Sequence, residues 1–255
     1  MSIIALRAWY IQDYEPISEL EKRPPDMRLS KKSLLRSALR ADFLEDSEVI
    51  KNSTWFGRYL EGETIEFYVE GSGGYCVANI DLISHEIYFT KQSLLSQLEP
   101  TIFLSWQNEF PEATEALREA LQTSLEKLNT RSRTPLELLE SLRPKESPLR
   151  LNRTMLRKIR KSLLFIADVT PITSVAVGDG LEMIPSPNVC VEIGYALQSK
   201  RSEQVLIAQM QRQEISGGFP FDLPPTQILQ YRDDKELNKI LLATLQNQLM
   251  RFKLL

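Results

Sequence analysis

The sequence predicts a doubly wound α/β domain over residues 99–255, a parallel sheet with helices on both faces, preceded by a smaller α+β domain over residues 1–98. Three observations carry this expectation. Short continuous apolar runs at 101–106 (TIFLSW), 163–170 (LLFIADVT) and 205–210 (VLIAQM) have the form of strands buried on both faces. Helical patterns lie between and after them, at 111–128, 189–199 and 233–252, and strands that alternate with helices imply a parallel sheet. The first hundred residues differ: apolar and polar residues alternate there in short runs broken by glycine, as in antiparallel strands.

Taken in order, residues 3–11 form an apolar stretch without a basic leader, a long apolar core or a small-residue cleavage site, so no signal peptide is expected. In residues 29–43, Leu34, Leu35, Ala38, Leu39 and Phe43 recur at helical spacing, with Ser30 placed as a cap, and predict a helix. Residues 55–60, 64–70, 75–82 and 86–90 read as strands; Ile65, Phe67 and Val69 alternate with polar neighbours, as do Cys76, Ala78, Ile80 and Leu82. An antiparallel meander packed on a helix is the expected result. The glycines of residues 71–74 read as a hairpin turn: no Lys and Ser/Thr follow them, and a strand comes next, so they do not form a phosphate cradle. A helix over 91–98 and Pro100 then mark the boundary.

Pro111 opens an amphipathic helix with Ala113, Leu117, Leu121, Leu125 and Leu128 on one face. Between residues 129 and 160, where a second strand of the sheet should lie, only loop residues and helix-like leucines are legible. In doubly wound sheets ligands bind outside the carboxyl ends of the strands. That rule selects Ser105, Trp106 and Gln107 after the first run, and Asp168 and Thr170 at the end of the second.

Composition narrows the chemistry. A net charge of -3 with scattered basic residues gives no electrostatic footprint for nucleic acid. No apolar run approaches the roughly 18 residues of a membrane span, and Cys76 and Cys190 lie far apart without metal-type spacing, so a cytoplasmic protein without a disulfide framework or metal site is expected. His85, the sole histidine, lies in the β-rich half, which argues against Ser-His-Asp or Cys-His chemistry in the second domain.

Residues 186–196 (SPNVCVEIGYA) concentrate the remaining chemistry. Asn188 is placed to cap the helix that follows, and Glu192 stands four residues after it and three before Tyr195, so the three project from one side. Val189, Ile193, Ala196 and Leu197 fall on the face that packs against the sheet. Gly194, a poor helix residue, suggests close approach to the sheet or a ligand. Trp106 reads equally as a stacking platform and as core, Asp168 as a pocket carboxylate or a loop-ordering group, Tyr195 as packing with a polar tip, and Cys190 as a small buried hydrophobe.

Three motifs in order, FLSWQNEFPEAT (103–114), FIADVT (165–170) and PNVCVEIGYAL (187–197), with FPFDL (219–223) before Tyr231, resemble bacterial TIR-like nucleotide-binding proteins. These are relatives of TIR-domain NAD hydrolases and, more remotely, of nucleoside deoxyribosyltransferases. The resemblance implies a flavodoxin-like sheet, Glu192 acting on an N-glycosidic bond, and Ser105, Trp106 and Gln107 lining the nucleotide pocket. It further implies NAD as a substrate rather than a cofactor and self-association on activation, with an activator, small molecule or protein, acting through the N-terminal domain in the manner of anti-phage effectors. A nucleotide-binding module without turnover, and a nucleoside N-glycosidase or deoxyribosyltransferase, are the alternatives. The chemistry favours NAD, because its nicotinamide leaves as a neutral molecule and one carboxylate suffices to stabilise the oxocarbenium ion. A neutral nucleoside also needs an acid, for which Asp168 is the candidate.

Overall fold

The structure is a computed structural model that describes residues 5–34, 37–92, 97–143, 153–220, 228–252 and 254–255. The chain divides into two compact units, Met1–Leu98 and Glu99–Leu255.

In the first unit the elements run β1 (Ala5–Ile11), α1 (Ile17–Leu20), β2 (Met27–Leu34), β3 (Ala38–Phe43), α2 (Ser47–Lys51), α3 (Thr54–Leu60), β4 (Glu66–Val69), β5 (Gly73–Asp81) and β6 (Glu86–Lys91). The six strands close into an antiparallel barrel in the order β1-β2-β3-β6-β5-β4. Closure is made by β1 on β4, where Ala8 faces Val69 and Tyr10 faces Phe67. The core gathers Leu29, Ala41, Phe43, Phe67, Tyr75, Ile87 and Phe89 from the strands, with Trp55 and Phe56 from α3.

Two expectations fail here for physical reasons. Residues 29–43 are not a helix but β2 and β3. Leu39, Ala41 and Phe43 are buried while Arg40 between them is exposed, so the period that tertiary packing selects is two, although the leucine spacing fits 3.6 as well. Conversely, residues 55–60 are not a strand but most of α3, capped by the Ser53 hydroxyl, which accepts from the Phe56 amide at 3.3 Å. The expected meander on a helix is therefore a closed barrel. The turn at 71–74 joins β4 to β5, with Gly71 and Gly73 at φ 66° and 104°, conformations that favour glycine. Of the helix expected at 91–98, residues 93–96 lie outside the described residues, and Lys91 ends β6.

The second unit continues with β7 (Glu99–Ser105), α4 (Pro111–Asn129), β8 (Glu137–Glu140), α5 (Arg153–Lys161), β9 (Ser162–Asp168), β10 (Thr173–Val177), β11 (Gly180–Ile184), α6 (Pro187–Ser199), β12 (Val205–Met210), β13 (Ile228–Tyr231) and α7 (Asp234–Arg251). Five strands form a parallel sheet in the order β13-β12-β9-β7-β8, and β10 and β11 pair as a separate antiparallel hairpin. β8 corrects the reading of 129–160. It is a four-residue edge strand, Glu-Leu-Leu-Glu, none of it fully buried, and so lacks the apolar run by which the other strands were recognised.

Alternation divides the sheet's side chains between two layers. Phe103, Phe165, Ala167, Val205 and Ile207 pack with Met155 and Ile159 of α5 and with Val189, Ile193 and Ala196 of α6. The intervening Ile102, Leu104, Leu164 and Ile166, all buried, face the other way, toward α4 and α7, which pack on each other. Counted along the unit, the first strand (β7) lies between the second (β8) and the third (β9). The strand order reverses there, at the carboxyl ends of β7 and β9, the place at which doubly wound sheets bind their ligands. Among the described residues no helix is long and apolar enough to cross a membrane.

Candidate functional site

A buried glutamate stands at the carboxyl end of β7. α6 starts at Pro187, whose fixed φ suits a first helical position. Its N-cap is Ser186, which caps with no side-chain bond; the Ser186 hydroxyl instead donates to Glu109 Oε1 at 3.1 Å. Asn188 therefore lies inside the helix and does not cap it, contrary to the sequence reading. One turn later Glu192 is fully buried.

Ser105 closes β7 two residues after Phe103 and so shares the face that α6 covers. Its hydroxyl donates to Glu192 Oε2 at 2.5 Å. The other partner was not foreseen. Arg143, three residues beyond β8, sets Nη1 2.6 Å from Glu192 Oε1 and Nη2 3.0 Å from Oε2, a bidentate fork. The two side chains are 2% and 0% exposed. Its Nε donates to the Trp106 carbonyl at 2.8 Å.

Trp106 completes this group. Its indole Nε1 donates to the Ser141 carbonyl at 2.7 Å, tying the end of β7 to the segment that carries Arg143. The Arg143 guanidinium carbon lies 5.8 Å from the Trp106 ring centroid, and that of Arg118, itself held by Glu140 at 2.8 and 3.0 Å, lies 5.3 Å away. Glu192 and the indole ring thus flank one planar cation, a carboxylate in line with it and a π-system beside it.

Asp168 belongs to a different cluster. It follows Ile166 by two residues at the end of β9 and shares its face, the one α4 covers. Thr114 of α4 donates to Asp168 Oδ2 at 2.8 Å and the Thr170 amide donates to Oδ1 at 3.0 Å. Gln107 Nε2 donates to the Thr170 carbonyl at 2.8 Å, and the Thr170 hydroxyl accepts from the Met210 amide at 3.0 Å. Burial pushes the Asp168 carboxyl above the usual carboxylate range, against the lowering by its bonds to Thr170, Thr114 and Gln107. Burial, and then the Asp168 charge, push the neighbouring Tyr231 phenol up as well. Gln107, Asp168 and Thr170 therefore brace the loops after β7, β9 and β12, whereas Ser105 and Trp106 join Glu192.

The remaining candidates sit around this frame. Asn188 is half-buried in the first turn of α6, and Tyr195 is half-buried against the core beneath α6. Gly194 is exposed, with nothing within 4 Å of where a Cβ would stand, so it marks no close approach. Leu197 is 40% exposed rather than packed on the sheet. Burial pushes the half-buried Cys190 thiol up, away from thiolate chemistry. In the first unit His85 takes φ 56° and stacks on Phe43 at 5.0 Å. Residues 221–223 of the FPFDL motif, Asp222 among them, lie outside the described residues. The residues that sequence reasoning missed are Arg143, Ser141 and Thr114. Recognition of β8 would have drawn attention to the first two, because they follow the carboxyl end of a strand.

Comparison with protein-family models, with curated proteins and with solved structures finds no match. The chemistry of the site is therefore argued from its geometry. A carboxylate with no exposure keeps its charge only against a compensating cation and hydrogen bonds, and removing one partner from such a pair costs about 3–5 kcal/mol. Glu192 is accordingly a buried carboxylate balanced by the Arg143 fork, in a setting where electrostatic effects are strong.

Proposed function

We propose that this chain hydrolyses the bond between nicotinamide and ribose in NAD, with Glu192 as the carboxylate that faces the sugar. The observation that carries the reading is the buried Glu192 carboxylate at the reversal of strand order, oriented by the Ser105 hydroxyl and matched to a planar cation beside Trp106. The strand order is that of flavodoxin-like sheets, which bind their ligand at this point. Together with the three motifs it supports a TIR-like domain.

In the reaction the C1′–N bond breaks, its electron pair stays with the nicotinamide ring and neutralises the pyridinium, and positive charge develops on the ribose. Glu192 stabilises that charge electrostatically or traps the sugar. Water then takes the C1′ position and its proton passes to solvent. No acid is needed for this leaving group. Asp168, the sequence's candidate acid, lies on the opposite face of the sheet, which weighs against a neutral nucleoside. The first unit as a sensor or oligomerisation module, and activation by self-association, belong to the same proposal.

The test is release of free nicotinamide from NAD by the purified chain. Glu192→Gln keeps the shape and hydrogen-bonding reach of the side chain but removes its charge, and is expected to lower turnover by at least about a hundredfold, or roughly 3 kcal/mol, with the fold retained by circular dichroism. Near wild-type turnover in this variant would exclude Glu192 as the reacting carboxylate. The complete pairing of Glu192 favours one other reading, a module that binds the nucleotide without turnover; NAD binding by calorimetry with no nicotinamide released selects it.

A further inference from the structure

We infer that Glu192 and the Trp106 ring form a receptor for a planar organic cation, that Arg143 fills it as an internal surrogate, and that the pyridinium of the substrate must displace Arg143 to enter. The inference deepens the proposed function and rests on it for the identity of the substrate; the receptor itself rests on geometry.

Three features point to it. The guanidinium is flat, delocalised and singly charged, and it engages Glu192 through both oxygens, at 2.6 and 3.0 Å, while its carbon lies 5.8 Å from the indole centroid. A pyridinium ring is also flat, delocalised and singly charged, and it offers the same carboxylate a balancing charge and the same π-system a stacking partner, although its alkylated nitrogen donates no hydrogen bond. The second feature is occlusion. With side-chain exposures of 2% and 0%, Arg143 and Glu192 leave no room for a sugar against the carboxylate while they are paired. The third is how Arg143 is carried. It comes from the segment after the short edge strand β8, through bonds from Trp106 Nε1 to the Ser141 carbonyl and from Arg143 Nε to the Trp106 carbonyl. Among the described residues the segment is also anchored by the Ser141 amide, which donates to the Leu104 carbonyl of β7 at 2.9 Å, so the arginine leaves by breaking its own fork to Glu192 and its Nε bond to the Trp106 carbonyl while Ser141 stays on the strand.

The consequence is a charge filter. A neutral ring that displaced Arg143 would strand the buried Glu192 charge, whereas a cationic ring replaces the charge that it removes. Oxidised dinucleotide should therefore enter and reduced dinucleotide, whose dihydropyridine ring is neutral, should not.

The experiment uses the full chain and two small probes, the 1-methylnicotinamide cation and neutral nicotinamide, with binding read by calorimetry and nicotinamide release from NAD read separately. In Arg143→Gln the cation is expected to bind at least tenfold more tightly than in the wild type and at least tenfold more tightly than neutral nicotinamide. In Arg143→Gln with Glu192→Gln that preference should vanish. If the single Gln variant does not fold, Arg143→Lys replaces it, because lysine keeps the charge but loses the fork; a threefold or greater gain in cation affinity is then expected. Unchanged cation affinity in whichever variant folds overturns the inference, as does equal binding of the two probes. Turnover separates the two claims. Cation binding that behaves as stated with no nicotinamide released from NAD leaves the receptor standing and removes NAD hydrolysis; NAD hydrolysis with no gain in cation binding does the reverse.

Discussion

At the scale of single residues, Trp106 has three simultaneous attachments: its carbonyl accepts from Arg143, its indole nitrogen donates to Ser141, and its ring borders two guanidinium groups. Substitution by alanine removes the ring and the indole donor but keeps the carbonyl and the Glu192 charge. Trp106→Ala is therefore expected to raise the KM for NAD about tenfold, in keeping with a cation–π contact of roughly 1–2 kcal/mol, and to leave kcat within about threefold. A fall in kcat with KM unchanged would instead assign the ring to the chemical step. Ser105 and Glu192 were legible as candidates because each belongs to a pattern that sequence displays, a strand end and a helix following a loop. Their contact follows from parity: Ser105 shares a face with Phe103, and that face meets α6. The same parity rule separates Asp168 from them, and it was available in the sequence. Arg143 was not, since its position depends on a strand too short and too polar to recognise.

At the scale of elements, α6 is fixed at both ends. Its C-cap, Lys200, is half-buried and its ammonium donates to the Ser162 carbonyl at the start of β9. Burial pushes the Lys200 ammonium down to about 7. A base with a depressed value in the folded state gives stability that is present above its unfolded value of about 10.4 and is lost as pH falls through about 7. The melting temperature of the wild type relative to Lys200→Met is thus expected to rise from pH 6 to pH 9.5, because methionine fills the space without titrating. A difference that stays constant over this range would mean that the amine does not titrate there. The elements most poorly read from sequence were those whose periodicity tertiary contacts decide. β2 and β3 carry leucines compatible with a helix, and α3 is a short apolar run compatible with a strand; barrel closure settles the first and the Ser53 cap the second. The long buried strands β7, β9 and β12 and the helices α4 and α7 were plain, since their patterns extend over enough residues to exclude the other period.

At the scale of the whole molecule, each unit buries a core drawn from its own residues. Residues 99–255 form a sheet covered on both faces by their own helices and need no strand from the barrel. Expressed alone, they are expected to melt in one cooperative transition and to retain NAD binding. A gradual, non-cooperative melt would show that the second unit depends on the first for its stability. The difference in architecture bears on another property. The barrel has no open edge, and the outer strands of the parallel sheet, β8 and β13, count four residues each among the described residues, β8 bearing a glutamate at either end. β10 is unlike these: Thr-Ser-Val-Ala-Val carries neither charge nor proline, exposes Val175 and Val177, and among the described residues pairs with β11 alone. Charge, proline and brevity are the features that keep a strand edge from recruiting further strands. Ordered aggregates of the folded chain are therefore expected to nucleate at β10, by addition of an incoming strand to the side that is unpaired among the described residues.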